Sequence, residues 1–95
     1  MPTPERTARF DRDWDQLDGA ERARFRQAAG RFVEDLRIGR FRRGLRVKGV
    51  GGADGVFEMT WAPDGRATFE YGPGRPSGAH VIWRRIGRHG ILRRP

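Results

Sequence analysis

The sequence predicts one α+β domain over residues 1–95. It should hold a short N-terminal strand and two helices, one short and one long, packed on an antiparallel sheet of three to four strands. Three observations carry this. The first half lacks the glycine-rich turns that crowd the second, which places helices first and strands after. An apolar stripe at helical spacing runs through Phe25, Ala28, Ala29, Phe32, Val33 and Leu36. Two segments flanking "APDGR" alternate apolar and polar residues, as half-buried strands do. A chain of 95 residues holds one modest core.

Each element has its own signal. "TARF" (7–10) reads as a short opening strand. "DRDWDQL" (11–17) reads as a short helix, with Phe10, Trp14 and Leu17 on one side. Asp18-Gly19 ends it, and Asp18 with Glu21 three positions on forms a capping box for the next helix. That long helix runs from Ala20 to about Arg37. Arg22, Arg24, Arg26, Arg31 and Glu34 lie off its apolar stripe, and Gly39 is its stop. "GLRVK" (44–48) is a candidate strand and "GVGGADG" (49–55) a flexible connection; it lacks the lysine and strand-to-helix setting of a phosphate-binding loop.

The hairpin "VFEMTW" (56–61) and "RATFEY" (66–71) turns at Pro63-Asp64-Gly65. Phe57, Met59 and Trp61 share one face with Ala67, Phe69 and Tyr71, and this face packs on the long helix. A three-residue loop pairing Ala62 with Arg66 keeps the faces apart; it sets Met59 against Phe69, Phe57 against Tyr71 and Glu58 against Glu70. "YGPGRPSGAH" (71–80) is a Gly/Pro-rich loop, and the last strand runs from His80 to about Ile86. There Val81 and Trp83 oppose Ile82 and Ile86, so alternation leaves open which set faces the helix.

Composition narrows the function. Twenty basic residues against twelve acidic ones leave a net charge of +8, which favours a polyanionic partner, nucleic acid above all. All the basic residues except Lys48 are arginine. With no cysteine, disulfides and Cys-based zinc sites are excluded. The two histidines lack a companion carboxylate cluster at ligand spacing, so neither a metal nor another cofactor is expected. "MPTPERTARF" has no signal-peptide core and no stretch approaches a membrane span, which makes a soluble cytoplasmic protein the expectation.

"GLRVKGVGGADGVFEMTWAPDGRATFEYG", with its glycine, aromatic residues, alternating charges, turn and arginine-started strand, resembles the second and third strands of the RelE/ParE-type toxin family. "VIWRRIGRHGIL" resembles that family's last strand and its short glycine-containing end with His or Arg. The likeness spans about residues 5–93, in element order as well as in length and basic charge. It implies a toxin of a type II toxin–antitoxin pair, neutralised by a cognate acidic antitoxin protein. The family's commonest activity is metal-independent cleavage of mRNA in the ribosomal A site. A related branch poisons DNA gyrase and typically lacks the catalytic residues.

Such cleavage needs a base for the ribose 2′-OH, cations for the pentacoordinate phosphate, and an acid for the departing 5′-oxygen. The outward sheet face offers Glu58 and Arg66. By position in the family pattern, Glu58 falls where some members place a lysine, Arg66 on the arginine that opens the third strand, and His89 near the basic or histidine residue that closes the site. The expected roles are Glu58 as base, aided by Glu70 opposite, Arg66 as phosphate clamp and His89 as general acid. Arg46, Lys48, Arg85 and Arg88 are expected to hold phosphates, and Trp83 to stack on a base.

Plainer readings stand beside these: His89 as a surface-tail residue, His80 as a loop-end residue, Glu58 in a cross-strand ion pair, and Trp83 in the core. The only tyrosine, Tyr71, falls on the helix-facing side, whereas several ribonuclease members place one near the C-terminus. A non-enzymatic module on the same scaffold, acting on gyrase or holding RNA or DNA, is therefore the alternative. A ribosomal structural protein is a third.

Overall fold

A computed structural model describes residues 5–72 and 80–95. The Gly/Pro-rich connection expected between Tyr71 and His80 lies largely outside them. The chain forms strand β1 (Glu5–Arg6), helices α1 (Ala8–Asp15) and α2 (Gly19–Ile38), then β2 (Lys48–Gly49), β3 (Val56–Thr60), β4 (Gly65–Tyr71) and β5 (Val81–Arg88). A 3-10 helix, His89–Arg93, follows. The sheet has five strands in the order β1-β5-β4-β3-β2, one more than the upper expectation, and it is mixed because β1 runs parallel to β5. Among the described residues no helix is long and apolar enough to cross a membrane.

The opening differs from the sequence expectation. The strand lies at Glu5–Arg6 and "TARF" begins a helix, because the Thr7 side chain accepts from the Phe10 amide as an N-cap. Helical spacing then stacks Phe10 on Trp14, with ring centroids 6.1 Å apart. Where β1 stops, α1 takes over the edge of β5. The Thr7 hydroxyl donates to the Arg84 carbonyl at 2.7 Å, and the Ile86 amide donates to Asp13 at 3.2 Å. The parallel edge is thereby satisfied after only two residues of pairing.

Helix α2 starts and stops as its sequence signals require. Asp18 accepts from the Glu21 amide at 2.8 Å, Glu21 accepts from the Asp18 amide at 2.9 Å, and Gly39 closes the helix at φ 73°. Phe25 and Phe32 lie over Trp83 and Phe69, at 5.3 Å and 4.9 Å between centroids, and form the centre of the core. Asp35, only 4% exposed, accepts from the Arg42 amide and from both Nε and Nη2 of Arg42. The Arg42 guanidinium holds the Asp35 carboxyl below the usual carboxylate range. This clasp folds the chain back so that Phe41 stacks on Phe32.

Beyond it, "GLRVK" is not a strand. Arg43–Leu45 is a 3-10 turn, Arg46 adopts φ 49°, ψ 44°, and pairing begins at Lys48. Leu45 is buried there and packs in the core.

The hairpin keeps its predicted faces but not its predicted partners. Met59 pairs with Ala67, Phe57 with Phe69, Glu58 with Thr68 and Thr60 with Arg66. This is two residues along from the expected register, which leaves every side chain on its face. The turn explains the choice: Trp61 donates to the Gly65 carbonyl at 3.1 Å, and its ring lies where a Cβ on residue 65 would come within 2.6 Å. Only glycine lets that ring lie across the strand.

The ambiguity in the last strand is settled by a β-bulge. Phe69 pairs with Trp83 but Thr68 pairs with Arg85, so Arg84 is the extra residue and the alternation resets there. Val81, Trp83 and Ile86 consequently all face the helices and are all buried.

Candidate active site

The sheet face away from the helices carries a row of charge set by strand register. Lys48 lies opposite Glu58, Glu58 opposite Thr68, and Thr68 opposite Arg85. One pair further, Thr60 faces Arg66 and Arg66 faces Gly87. Diagonal neighbours across a ladder are within reach of long side chains, and Arg66 Nε lies 3.8 Å from Glu58 Oε1. Two of the three expected catalytic groups are thus brought together, with Lys48 beside them.

The surroundings are drier than an outward face implies. Glu58 is 6% exposed, and Thr68 is fully buried with a hydroxyl that has no hydrogen-bond partner among the described residues. Arg66 Nη1 donates to the main-chain oxygens of Gly65, Pro63 and Ala62 at 3.0, 3.4 and 3.5 Å. The turn therefore aims the guanidinium. Glu70 is not opposite Glu58: it faces Val56 and Ile82 and pairs with Arg84 at 3.3 Å. The expected help from Glu70 in perturbing Glu58 falls with the register.

His89 is exposed and opens the C-terminal 3-10 helix, two residues past Gly87, the ladder partner of Arg66. That helix packs back on β4 and β5, with Ile91 buried. Further along, Arg84 donates to the main-chain oxygen of Pro95 and Arg85 to that of Arg94, which fastens the tail. His80 lies elsewhere: its Nε2 is 3.3 Å from Glu5, joining the start of β5 to β1.

The other four expected site residues lie outside this group. Trp83 is 5% exposed, inside an aromatic cluster with Phe10, Phe25, Phe32 and Phe69, on the helix side and not on the face of the charged row. Arg85 is on the expected face, but its guanidinium makes two 3.0 Å bonds to Asp13 and is neutralised there. Arg88, paired with Gly65, falls on the helix side and lines a hollow with Asp18, Glu21 and Arg24. Arg46 is exposed and lines two hollows, one with Arg31 and Thr60, the other with Arg43 and Lys48; no carboxylate lines either.

A separate hollow of about 510 Å³ between α1 and α2 is floored by Phe10, Trp14, Phe25 and Trp83. Arg6, Asp11, Asp15 and Arg26 line its rim, with Asp11 paired to Arg6 at 3.0 Å. Thr68, Gly87 and Ile91 carry no site signal in the sequence. Alternation put Thr68 on the right face, but only the returning tail closes that face.

No protein-family profile and no curated protein matches this chain in sequence. Solved structures do match in three dimensions. The DinJ–YafQ toxin–antitoxin complex of E. coli contains a chain with TM-score 0.72 and 11% identity, covering 96% of each chain. The RelB–RelE antitoxin–toxin complex of Methanococcus jannaschii gives TM-score 0.64 and 15% identity over 94% of each. A metal-bound toxin from Helicobacter pylori gives 0.65 and 18% over 97% of this chain and 99% of its own. The strand, helical pair and antiparallel sheet described above are, as a fold, those of the RelE-type toxins.

Proposed function

We infer that this chain is the toxin of a type II toxin–antitoxin pair, a metal-independent endoribonuclease that cuts mRNA on the ribosome. The observation that carries the reading is the placement of Lys48, Glu58 and Arg66 on one sheet face by strand register, with Glu58 and Arg66 ion-paired at 3.8 Å, next to the turn that bears His89. Glu58 takes the proton of a ribose 2′-OH, and the oxygen attacks the adjacent phosphorus. Arg66 and Lys48 hold the charge gathering on the phosphate oxygens. As the P–O5′ bond breaks, His89 gives a proton to the leaving oxygen. One chain then ends in a 2′,3′-cyclic phosphate and the other in a 5′-hydroxyl.

The net charge of +8 suits a substrate bound among phosphates and a neutralising partner rich in carboxylates. The YafQ and RelE structures, solved with the antitoxins DinJ and RelB, support an antitoxin as that partner.

Purified protein added to ribosomes programmed with mRNA should produce discrete cut ends. Arg66→Ala and His89→Ala should each reduce cutting by about 10²-fold or more while the protein stays folded. Uncut mRNA with the wild-type protein would refute the reading. One observation favours a non-enzymatic alternative: the Arg66 guanidinium is already held by three main-chain oxygens and Glu58. Gyrase supercoiling assayed in parallel tests it, with inhibition that survives Arg66→Ala as its signature.

A further inference from the structure

We propose that Gly87 and Ile91 form a socket that positions His89 beside Arg66, which makes Ile91 a positioning residue for the general acid. The inference rests on the nuclease reading above and deepens it.

Gly87 is the ladder partner of Arg66 and so shares its face. A Cβ built on Gly87 would lie 2.9 Å from Cγ2 of Ile91, so the isoleucine methyl occupies the side-chain space that Gly87 leaves open next to Arg66. Ile91 is 8% exposed, whereas its neighbours Gly90 and His89 are exposed. Within the helix that carries the imidazole, burial is thus concentrated at Ile91. The bonds from Arg84 and Arg85 to Pro95 and Arg94 lie beyond it; at its start the helix leaves the sheet at Arg88, opposite Gly65, and Ile91 is the buried side chain between these two anchors. Cγ2 branches directly from Cβ, and χ1 of isoleucine is stiff. An alanine at 87 therefore displaces the helix backbone, and His89 with it.

Two measurements test this. In NMR spectra of the intact protein, the His89 ring should show NOEs to the Arg66 side chain. Those NOEs should vanish in Ile91→Ala and Gly87→Ala and persist in Ile91→Val, while the core methyl and tryptophan signals stay in place. In ribosome-dependent cleavage, Ile91→Ala should slow cutting by about 10²-fold, the loss expected of a misplaced catalytic group. Ile91→Val should restore it. With sulfur in place of the leaving 5′-oxygen, the P–S bond breaks and the 5′-thiolate departs without protonation, so Ile91→Ala should cut such a substrate nearly as fast as the wild type does. A merely structural loss would slow both substrates alike.

The socket is overturned if the NOEs are absent from the wild type or survive in Ile91→Ala. It is also overturned if the sulfur substrate fails to rescue the variant. A wild-type protein that cuts nothing would sink the nuclease reading, and the NOEs would still judge the socket on their own.

Discussion

Replacing Trp83 separates a core residue from a base-stacking one. Its ring sits 5.2 to 5.5 Å from Phe32, Phe25 and Phe69 and 6.3 Å from Phe10, at 5% exposure. Truncating such a side chain to alanine removes most of its buried area and leaves a cavity that four rings cannot all close. The loss is about 3–5 kcal/mol. A domain of this size is stable by only about 5–15 kcal/mol. Trp83→Ala should therefore lower Tm by on the order of 20 °C. Trp83→Phe keeps an aromatic ring among its neighbours and should lose only about 1–2 kcal/mol. Thermal and urea unfolding followed by circular dichroism measure both. RNA association, compared at a temperature where each variant is fully folded, should not change in Trp83→Phe. A Trp83→Ala protein that melts within a few degrees of the wild type, yet binds RNA poorly, would refute the placement of this residue in the core.

Other expectations follow from the same geometry. Asp18→Ala removes one half of the α2 capping box and should cost about 1 kcal/mol, seen as a Tm drop of about 4–8 °C; adding Glu21→Ala should give a less than additive loss. Gly65→Ala drives a methyl into the Trp61 ring and should disorder the hairpin that aims Arg66, visible as loss of the Trp61 ring-current shifts. The Asp35 carboxyl is held down by Arg42, so it contributes stability above the ordinary carboxylate range and loses it as pH falls through its folded-state value. Acid unfolding should therefore steepen below about pH 4, and Asp35→Asn should flatten that limb. Arg46 sits in the left-handed region, so Arg46→Gly should gain about 0.5 kcal/mol in denaturant melts. The same change should reduce the salt slope of RNA binding by about 0.7 if Arg46 holds one phosphate.

Local signals in the chain determined its long helix. A cap at Asp18, a stop at Gly39 and a stripe at 3.6-residue spacing are readable because each acts over four residues or fewer. Hairpin faces were equally readable, since a polar side chain on the helix side would be buried without a partner. From composition alone, the sign and excess of charge point to a polyanion.

Tertiary structure decided the rest. Alternation is blind to a shift of two, so the register that sets Glu58 against Thr68 and Arg66 instead of Glu70 is legible only with the Trp61 ring packed on Gly65. A bulge at Arg84 resets the period of the last strand, which turned Trp83 and Ile86 to the same side and placed the tryptophan on the helix side, away from the charged row. Asp13 reached Arg85 from 72 positions away, and the tail came back over Gly87. Such contacts carry no local signature, because the energy that selects them exists only when distant segments are already packed together.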